Sequence, residues 1–359
     1  FVLSISIRFL KLQFKIQNFN FQNMKICVVG AGAIGGYMAV RLANAGNEVS
    51  VIARGPHLAA IKANGLRLVE KEGELAATNL LATDRIPDCG PQDMVLLALK
   101  AHQITAVVED LASLFGPDTT LVTLQNGIPW WYFQKLPGDF SNRVVETVDP
   151  GGVLFNRIDP DRLIGCIAYP AASIAEPGVI RHVEGNRFPV GEIDGSVSDR
   201  LENISTIFSA AGFKSRVLDD IRSEIWLKLW GNLTFNPISV LSHSTLVDIC
   251  QFPLTRELAV TMMTEAQNIA HRLGSSFRVT IDRRIAGAEG VGKHKTSMLQ
   301  DVEVGKPLEI DGMLGAVIEL AQITDVEVPA LRALYACVSL LNKTVQEEKI
   351  CVKGQPLAG

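Results

Sequence analysis

Met24 to Arg54 reads MKICVVGAGAIGGYMAVRLANAGNEVSVIAR, and the fold follows from this stretch. Lys25 to Val29 is a short apolar run suited to a buried parallel strand. Gly30-Ala31-Gly32-Ala33-Ile34-Gly35 then fits G-x-G-x-x-G. Val40, Leu42 and Ala43 continue into a helical segment that stops near Gly46. Glu48 to Ala53 alternates as a second strand through Val49, Val51 and Ala53. Alone, the glycine pattern is weak. Between a strand and a helix, inside a strand–helix–strand unit of about 30 residues, it marks a dinucleotide site. Gly30 permits the tight turn, Gly32 lets a pyrophosphate approach the backbone, and Gly35 lets helix and sheet pack closely. The pyrophosphate then rests on the free N–H groups and positive dipole end of a helix beginning near Ala33. A glycine-rich turn without a ligand is the alternative. An acidic residue at the end of the second strand accepts from the ribose 2′-hydroxyl of NAD(H), whereas an Arg there suits a 2′-phosphate. Arg54 holds that position and Glu48 lies at the wrong end of the strand, so the expected cofactor is NADPH/NADP+. The other reading of Arg54 is a solvated loop cation.

The chain has 359 residues, enough for two domains. Its hydrophobic content of 47%, with 20% charged residues, is that of an ordinary globular protein. A net charge of −4 supplies no basic field for nucleic acid, so an anionic ligand must be held by local charges. The six cysteines (Cys27, Cys89, Cys166, Cys250, Cys337, Cys351) form no C-x-x-C. Cys27 falls in the first strand and Cys337 in an apolar helical pattern, so both are expected as core thiols. That usage indicates a reducing compartment, without a disulfide framework or a zinc site. The histidines lack ligand spacing; His182, His243 and His271 read as surface or packing residues, and no metal is expected. No run of about 18 uncharged apolar residues appears, so no membrane span is expected and the reading is cytoplasmic. Residues 1–23 begin without Met, carry Arg8, Lys11 and Lys15, and contain no acid. They are expected to be a disordered or non-native extension outside the fold, with a targeting segment as the alternative.

Further along, Leu58 to Ala63 reads as helical and Leu66 to Val69 as a strand. Asp93 to Lys100 (DMVLLALK) is a buried-strand run, followed by a helix from Ile104 to Phe115 that Gly116-Pro117 closes. Thr120 to Gln125 is the next strand, turning at Asn126-Gly127, and Arg143 to Val148 is another candidate. Gly30, Arg54, Lys100 and Asn126 all lie at carboxyl ends of strands, where open parallel sheets gather their ligands. Short β pieces occupy 162–192, Val197 to Ala211 reads as a helix and Lys214 to Leu218 as a last strand. Helical patterns then take over at about 220–235, 254–273, 280–300, 308–324 and 329–347. The expected class is α/β: a Rossmann dinucleotide-binding domain over 24–218, an all-α substrate domain over 219–348, and a tail from 349 to 359.

A second constellation lies on Ile221 to Asn236 (IRSEIWLKLWGNLTFN). Ile225, Trp226, Leu229 and Leu233 form its apolar side. Lys228, Asn232 and Asn236 recur every fourth residue, so their side chains stack along one helix face. One cation and two amides in line can bind a small carboxylate or polarise a carbonyl; a solvated face is the alternative. Asn236-Pro237 suggests that the helix ends there, with Asn236 as a possible cap. Thr296-Ser297-Met298-Leu299-Gln300-Asp301 and Leu308-Glu309-Ile310-Asp311-Gly312 form a third stretch. Glu309 opens a helical pattern, where negative charge is favourable in any case, and Ser297 can equally be a cap.

Taken together, GAGAIGG, LALKAHQ at 97–103, QNG at 125–127, EIWLKLWGNLTFNP at 224–237 and TSMLQD…LEIDGMLG at 296–315 resemble the ketopantoate reductases (2-dehydropantoate 2-reductases). The resemblance runs in order over about residues 24 to 345. It implies an N-terminal Rossmann domain, a helical C-terminal domain and an active site between them. It also implies NADPH-dependent reduction of 2-dehydropantoate to (R)-pantoate, on the route to pantothenate and coenzyme A. Carried over by position, it makes Lys228 the catalytic lysine and Glu309 a substrate-binding glutamate. Asn232, Asn236 and Ser297 would hold the substrate's hydroxyl and carboxylate ends. Lys100 and Asn126 would line the nicotinamide and ribose side, and Arg54 would read the 2′-phosphate. The expected partner is a small anionic 2-oxo acid, with no nucleic acid and no membrane. The apolar helical half suits either a homodimer or its own core. Two stretches depart from the family: Trp130-Trp131, and Val148-Asp149-Pro150-Gly151-Gly152. Both are expected to add bulk or charge beside the pocket. They keep open a related reductase for another small 2-oxo or 3-oxo acid. A non-enzymatic NADPH-binding sensor is the remaining alternative and leaves Lys228 and Glu309 unexplained.

Overall fold

The computed structural model describes residues 24–354. The readings for residues 1–23 and for the end of the tail, 355–359, lie outside the described residues. Runs of three to nine residues, the apolar central ones buried on both sheet faces, form the strands of the main sheet. These are β1 (Lys25–Val29), β2 (Glu48–Ile52), β5 (Leu81–Thr83), β6 (Gln92–Leu97), β7 (Phe115–Thr123) and β8 (Leu163–Cys166), and they are mutually parallel. With β11 (Val190–Glu192) and β12 (Val217–Leu218) they give the order β12-β11-β8-β7-β6-β1-β2-β5. Only the β8–β11 pairing is antiparallel in that sheet. The order reverses at β1, between β2 and β6, the crevice where doubly wound sheets bind ligands. In register, Val29 pairs with both Ile52 and Leu97, and Leu97 pairs with Thr123. The segments carrying Gly30, Arg54, Lys100 and Asn126 therefore leave the sheet side by side.

The helix Ala33–Asn44 covers one face of this sheet and is clamped from outside by a smaller sheet, β4-β3-β10-β9. Here β3 is Leu66–Glu70, β4 is Gly73–Ala77, β9 is Ala171–Glu176 and β10 is Val179–Glu184. A Cβ on Gly36 would come within 2.8 Å of Ile180, so glycine there sets how closely the helix meets β10. After β12 the chain is helical: Ile221–Ser242, Leu246–Gln251, Pro253–Arg272, Ile281–Val291, Ser297–Val302, Ala316–Ile323 and Pro329–Glu347. One core joins Val29, Val95 and Leu121 of the sheet to Trp226, Trp230, Met263 and Leu320 of the helical half. A second core lies between the sheet and the helices Ala33–Asn44 and Asp199–Ala210. Among the described residues no helix is long and apolar enough to cross a membrane.

Several local expectations are corrected. The long helix does not stop at Asn236-Pro237 but runs to Ser242. Pro237 removes one backbone donor, yet Ile238 and Val240 beyond it are buried in the core, and that packing carries the helix through. Asn236 is thus an interior, buried residue and no cap. Residues 143–148 form no strand but an irregular stretch ending in a turn at 146–148, and Glu146 and Thr147 donate their backbone N–H groups to Glu319 at 2.8 Å each. Residues 104–115 are short helical turns and not one helix, and β7 already starts at Phe115. The 280–300 pattern breaks at Gly292, whose φ of 82° ends a helix. Thr296, not Ser297, caps the next helix by accepting from Leu299 N. Glu309 precedes a π-helical turn, Asp311–Gly315, and does not open a helix itself. Cys337 is exposed, since the buried stripe of its helix is Leu331, Val338 and Val345, and a neighbour of 338 points about 100° away.

The two departures from the family pattern also turn inward. Trp130 and Trp131 are buried, and Trp131 Nε1 donates to Thr123 Oγ1 at 3.0 Å. Asp149 is fully buried and accepts from Leu154 N at 2.9 Å and Phe155 N at 2.8 Å. The indoles fill core and the carboxylate caps the helix Val153–Arg157, so neither adds bulk or charge beside a pocket.

Candidate active site

Two cavities flank the start of the helix Ala33–Asn44. The first, of about 410 Å³, is walled by Gly30, Ala31, Gly32, Arg54, His57 and His102, among others. Gly30 has φ 105°, a conformation that favours glycine. A Cβ on Gly35 would stand 2.0 Å from Gly30 O, so this glycine is needed for the fold. A Cβ on Gly32 would meet nothing within 4 Å: the space its missing side chain leaves belongs to the cavity. No side chain caps the helix at Gly32, and its first turn holds no acid, which leaves the N–H groups near Ala33 and Ile34 free for an anion. His57 pins this loop. Gly178 N donates to its Nδ1 at 3.0 Å, so the proton sits on Nε2, which donates to Ala31 O at 2.8 Å. Arg54 is exposed at the end of β2, and among the described residues its guanidinium has no partner. Free N–H groups, open space over Gly32 and an uncommitted cation at the second strand fit a 2′-phosphorylated dinucleotide.

The second cavity, of about 370 Å³, lies between the sheet ends and the helical half. The long helix supplies Lys228, Asn232 and Asn236 to its wall, the turn after β7 supplies Asn126, and the helix Ser297–Val302 supplies Ser297. Ile34 lines it too, so the first turn of the helix Ala33–Asn44 reaches this cavity while Gly32, just before that helix, walls the other. Lys228 Nζ donates to Asn126 Oδ1 at 2.5 Å and to Ala168 O. Burial pushes its pKa down to about 8, against the opposing charges of Glu309 and Cys166. Asn236 is buried with its amide 3.8 Å from Met313 Sδ. Asn232 and Ser297 keep their side chains free of hydrogen-bond partners among the described residues. Glu309 acts on Lys228 through its charge but is not part of the wall. Lys100 lines neither cavity; its ammonium is 3.4 Å from Asp301 of the helical half.

Sequence reasoning passed over His57, Tyr169, Asp301 and Arg284. Tyr169 lines the second cavity and donates to Glu224 Oε1 at 2.6 Å; the Arg278 guanidinium also binds that carboxylate. Of these only Asp301 stood inside a quoted motif, TSMLQD, and its fixed offset from Ser297 was the one available signal.

Residues 26–195 match the ketopantoate reductase PanE/ApbA family, and residues 220–342 match the PanE/ApbA C-terminal family. The chain belongs to the ketopantoate reductase family. A 2-dehydropantoate 2-reductase of Mesorhizobium japonicum is 51% identical over 319 residues, covering 89% of this chain and 98% of the relative. Among solved structures, a candidate ketopantoate reductase of Ralstonia solanacearum MolK2 is 37% identical with a TM-score of 0.85, covering 89% of this chain and 98% of that one. The 2-dehydropantoate 2-reductase of Methylococcus capsulatus is 27% identical with a TM-score of 0.76, over 89% and 97% of the two chains. The N-terminal Rossmann sheet and the helical C-terminal half are thus the fold of this family.

Proposed function

We propose that this protein reduces 2-dehydropantoate to (R)-pantoate with NADPH, the reduction that serves pantothenate and coenzyme A synthesis. The observation that carries the reading is Lys228. Its ammonium stands in the wall of a cavity that borders the dinucleotide helix, steadied by Asn126 and perturbed by burial. Strongly perturbed cations in clefts are candidates for chemistry. When bound, the reduced nicotinamide supplies a hydride. Lys228 stabilises the negative charge that grows on the substrate's 2-oxo oxygen and donates the proton to it. Asn232 and Asn236 orient the substrate without adding charge, and Ser297 donates from the opposite helix. Glu309 favours the charged form of Lys228. The Gly30–Gly35 backbone holds the pyrophosphate and Arg54 the 2′-phosphate. The inward-turned Trp130, Trp131 and Asp149 remove the reason for preferring another oxo acid.

The test is NADPH oxidation with a panel of 2-oxo acids. Ketopantoate is expected to be the preferred substrate; turnover of another acid with none of ketopantoate would overturn the assignment. Lys228→Ala is expected to lower kcat by about 10²- to 10⁴-fold while the NADPH dissociation constant stays within about twofold. A variant with normal turnover would remove Lys228 from the chemistry.

A further inference from the structure

The second cavity holds a cation that the reading above does not use. Arg284 comes from the helix Ile281–Val291 and lines the same wall as Lys228 and Asn232. A Cβ built on Gly231 would stand 1.9 Å from Arg284 Nη2 and 2.8 Å from its Cζ. The guanidinium therefore fills the space that any side chain at 231 would take. Gly231 is three residues from Lys228, so this position lies about 4.5 Å further along the helix axis.

Among the described residues the Arg284 guanidinium has no hydrogen-bond or ion-pair partner. Burial pulls its pKa down, and the groups that push back are Tyr169 and Cys250, neither of them a carboxylate. Nearby acids are spoken for or apart: Glu224 is held by Tyr169 and Arg278, and Glu184 sits on the exposed rim. Arg222 offers the contrast. It is buried where Arg284 is half-buried, and it donates to Tyr132 O and Gln134 O at 2.8 Å and to Ile193 O as well. A guanidinium partly withdrawn from water without a partner, as that of Arg284 is, is held at some cost. A carboxylate entering the cavity relieves that through two parallel N–H···O bonds.

We propose that Arg284, admitted to the cavity by Gly231, anchors the substrate carboxylate and makes the site selective for 2-oxo acids over their uncharged esters. This rests on the proposed reductase reading and adds a division of labour to it. Lys228 serves the reacting oxygen, and one helical turn away Arg284 serves the acid group.

The test compares binding of ketopantoate, or of whichever 2-oxo acid wild type reduces fastest, with binding of its methyl ester. Calorimetric titration of the NADP+-loaded protein reads both without turnover. In Arg284→Gln the acid is expected to bind about 30-fold more weakly or worse, with the ester changed by less than about twofold. Arg284→Lys is expected to recover part of the acid affinity by charge alone. Gly231→Ala displaces the guanidinium and is expected to copy Arg284→Gln. Melting temperature and NADPH affinity identify any variant that merely fails to fold, in which case the Arg284→Lys comparison decides. An unchanged acid-to-ester ratio in Arg284→Gln, or a wild type that binds no 2-oxo acid, would overturn the proposal. Failure of ketopantoate turnover strikes the substrate assignment alone and leaves the binding ratio readable.

Discussion

An ordinary lysine keeps its proton to beyond about pH 10. In this protein, burial brings Lys228 down to about 8, with Glu309 pulling the other way. The ammonium form is the one that donates a proton, so the active fraction is full below pH 8 and is lost as pH rises through it. The expected kcat/KM profile therefore has a basic limb near pH 8 in wild type. Glu309→Gln removes the charge that supports the ammonium, and the limb is expected to move to lower pH. A limb that stays put in that variant, or one at pH 10 in wild type, would contradict this account. At this scale the sequence was partly legible. Lys228, Asn232 and Asn236 share one helix, and a spacing of four puts them on one face whatever surrounds them. Arg284 and Tyr169 were not legible, because they reach the same cavity from other elements and no local spacing links 169, 228 and 284.

At the scale of elements, the glycine loop separates two kinds of requirement that its pattern merges. Gly35 is excluded from bearing a side chain by the protein itself, since a Cβ would stand 2.0 Å from Gly30 O. At Gly32 the protein itself leaves a Cβ room, with nothing within 4 Å, so any penalty there is expected to fall on a dinucleotide bound over it. Gly35→Ala is expected to destabilise by about 1–3 kcal/mol or more, seen as a lowered melting temperature. Gly32→Ala is expected to melt within about 2 °C of wild type while its NADPH affinity falls by about tenfold or more. Equal effects of the two substitutions on both readouts would show that the distinction is false. β1, the helix Ala33–Asn44 and β2 were legible to within a residue or two, because strand burial, glycine turn and helix period agree there. The long helix was misread at Pro237 because propensity is local, whereas the burial of Ile238 and Val240 is a tertiary fact.

On the scale of the whole molecule, the sheet and the helical half are fastened at several points. Ile128 donates its N–H to Gly312 O at 2.9 Å, and a Cβ on Gly127 would overlap that same oxygen. Glu319 accepts from Glu146 N and Thr147 N, and Arg222 spans to Tyr132 O, Gln134 O and Ile193 O. The larger core runs through both halves. Calorimetry is accordingly expected to give one unfolding transition, and Glu319→Ala to lower it by about 1–3 kcal/mol without splitting it. Two resolved transitions in wild type would overturn this. The change from β pieces to helices after Asp219 announced the architecture in the sequence. The fastenings could not be read, since they join loops such as 126–128 and 146–147 to a π-helical turn that no pattern marks.

The chain has four tryptophans, and Trp130, Trp131, Trp226 and Trp230 are all buried. Two of them stand two residues before and two after Lys228 on its own helix, and the other two follow the Asn126-Gly127 turn. Indoles shielded from water fluoresce in the near ultraviolet, where a reduced nicotinamide absorbs and an oxidised one does not. The packing that removed Trp130 and Trp131 from the pocket thus gives the protein an optical gauge of its own. Emission is expected to dim as the reduced cofactor docks and to brighten as it is consumed; a signal indifferent to added NADPH would show that the indoles lie too far from it.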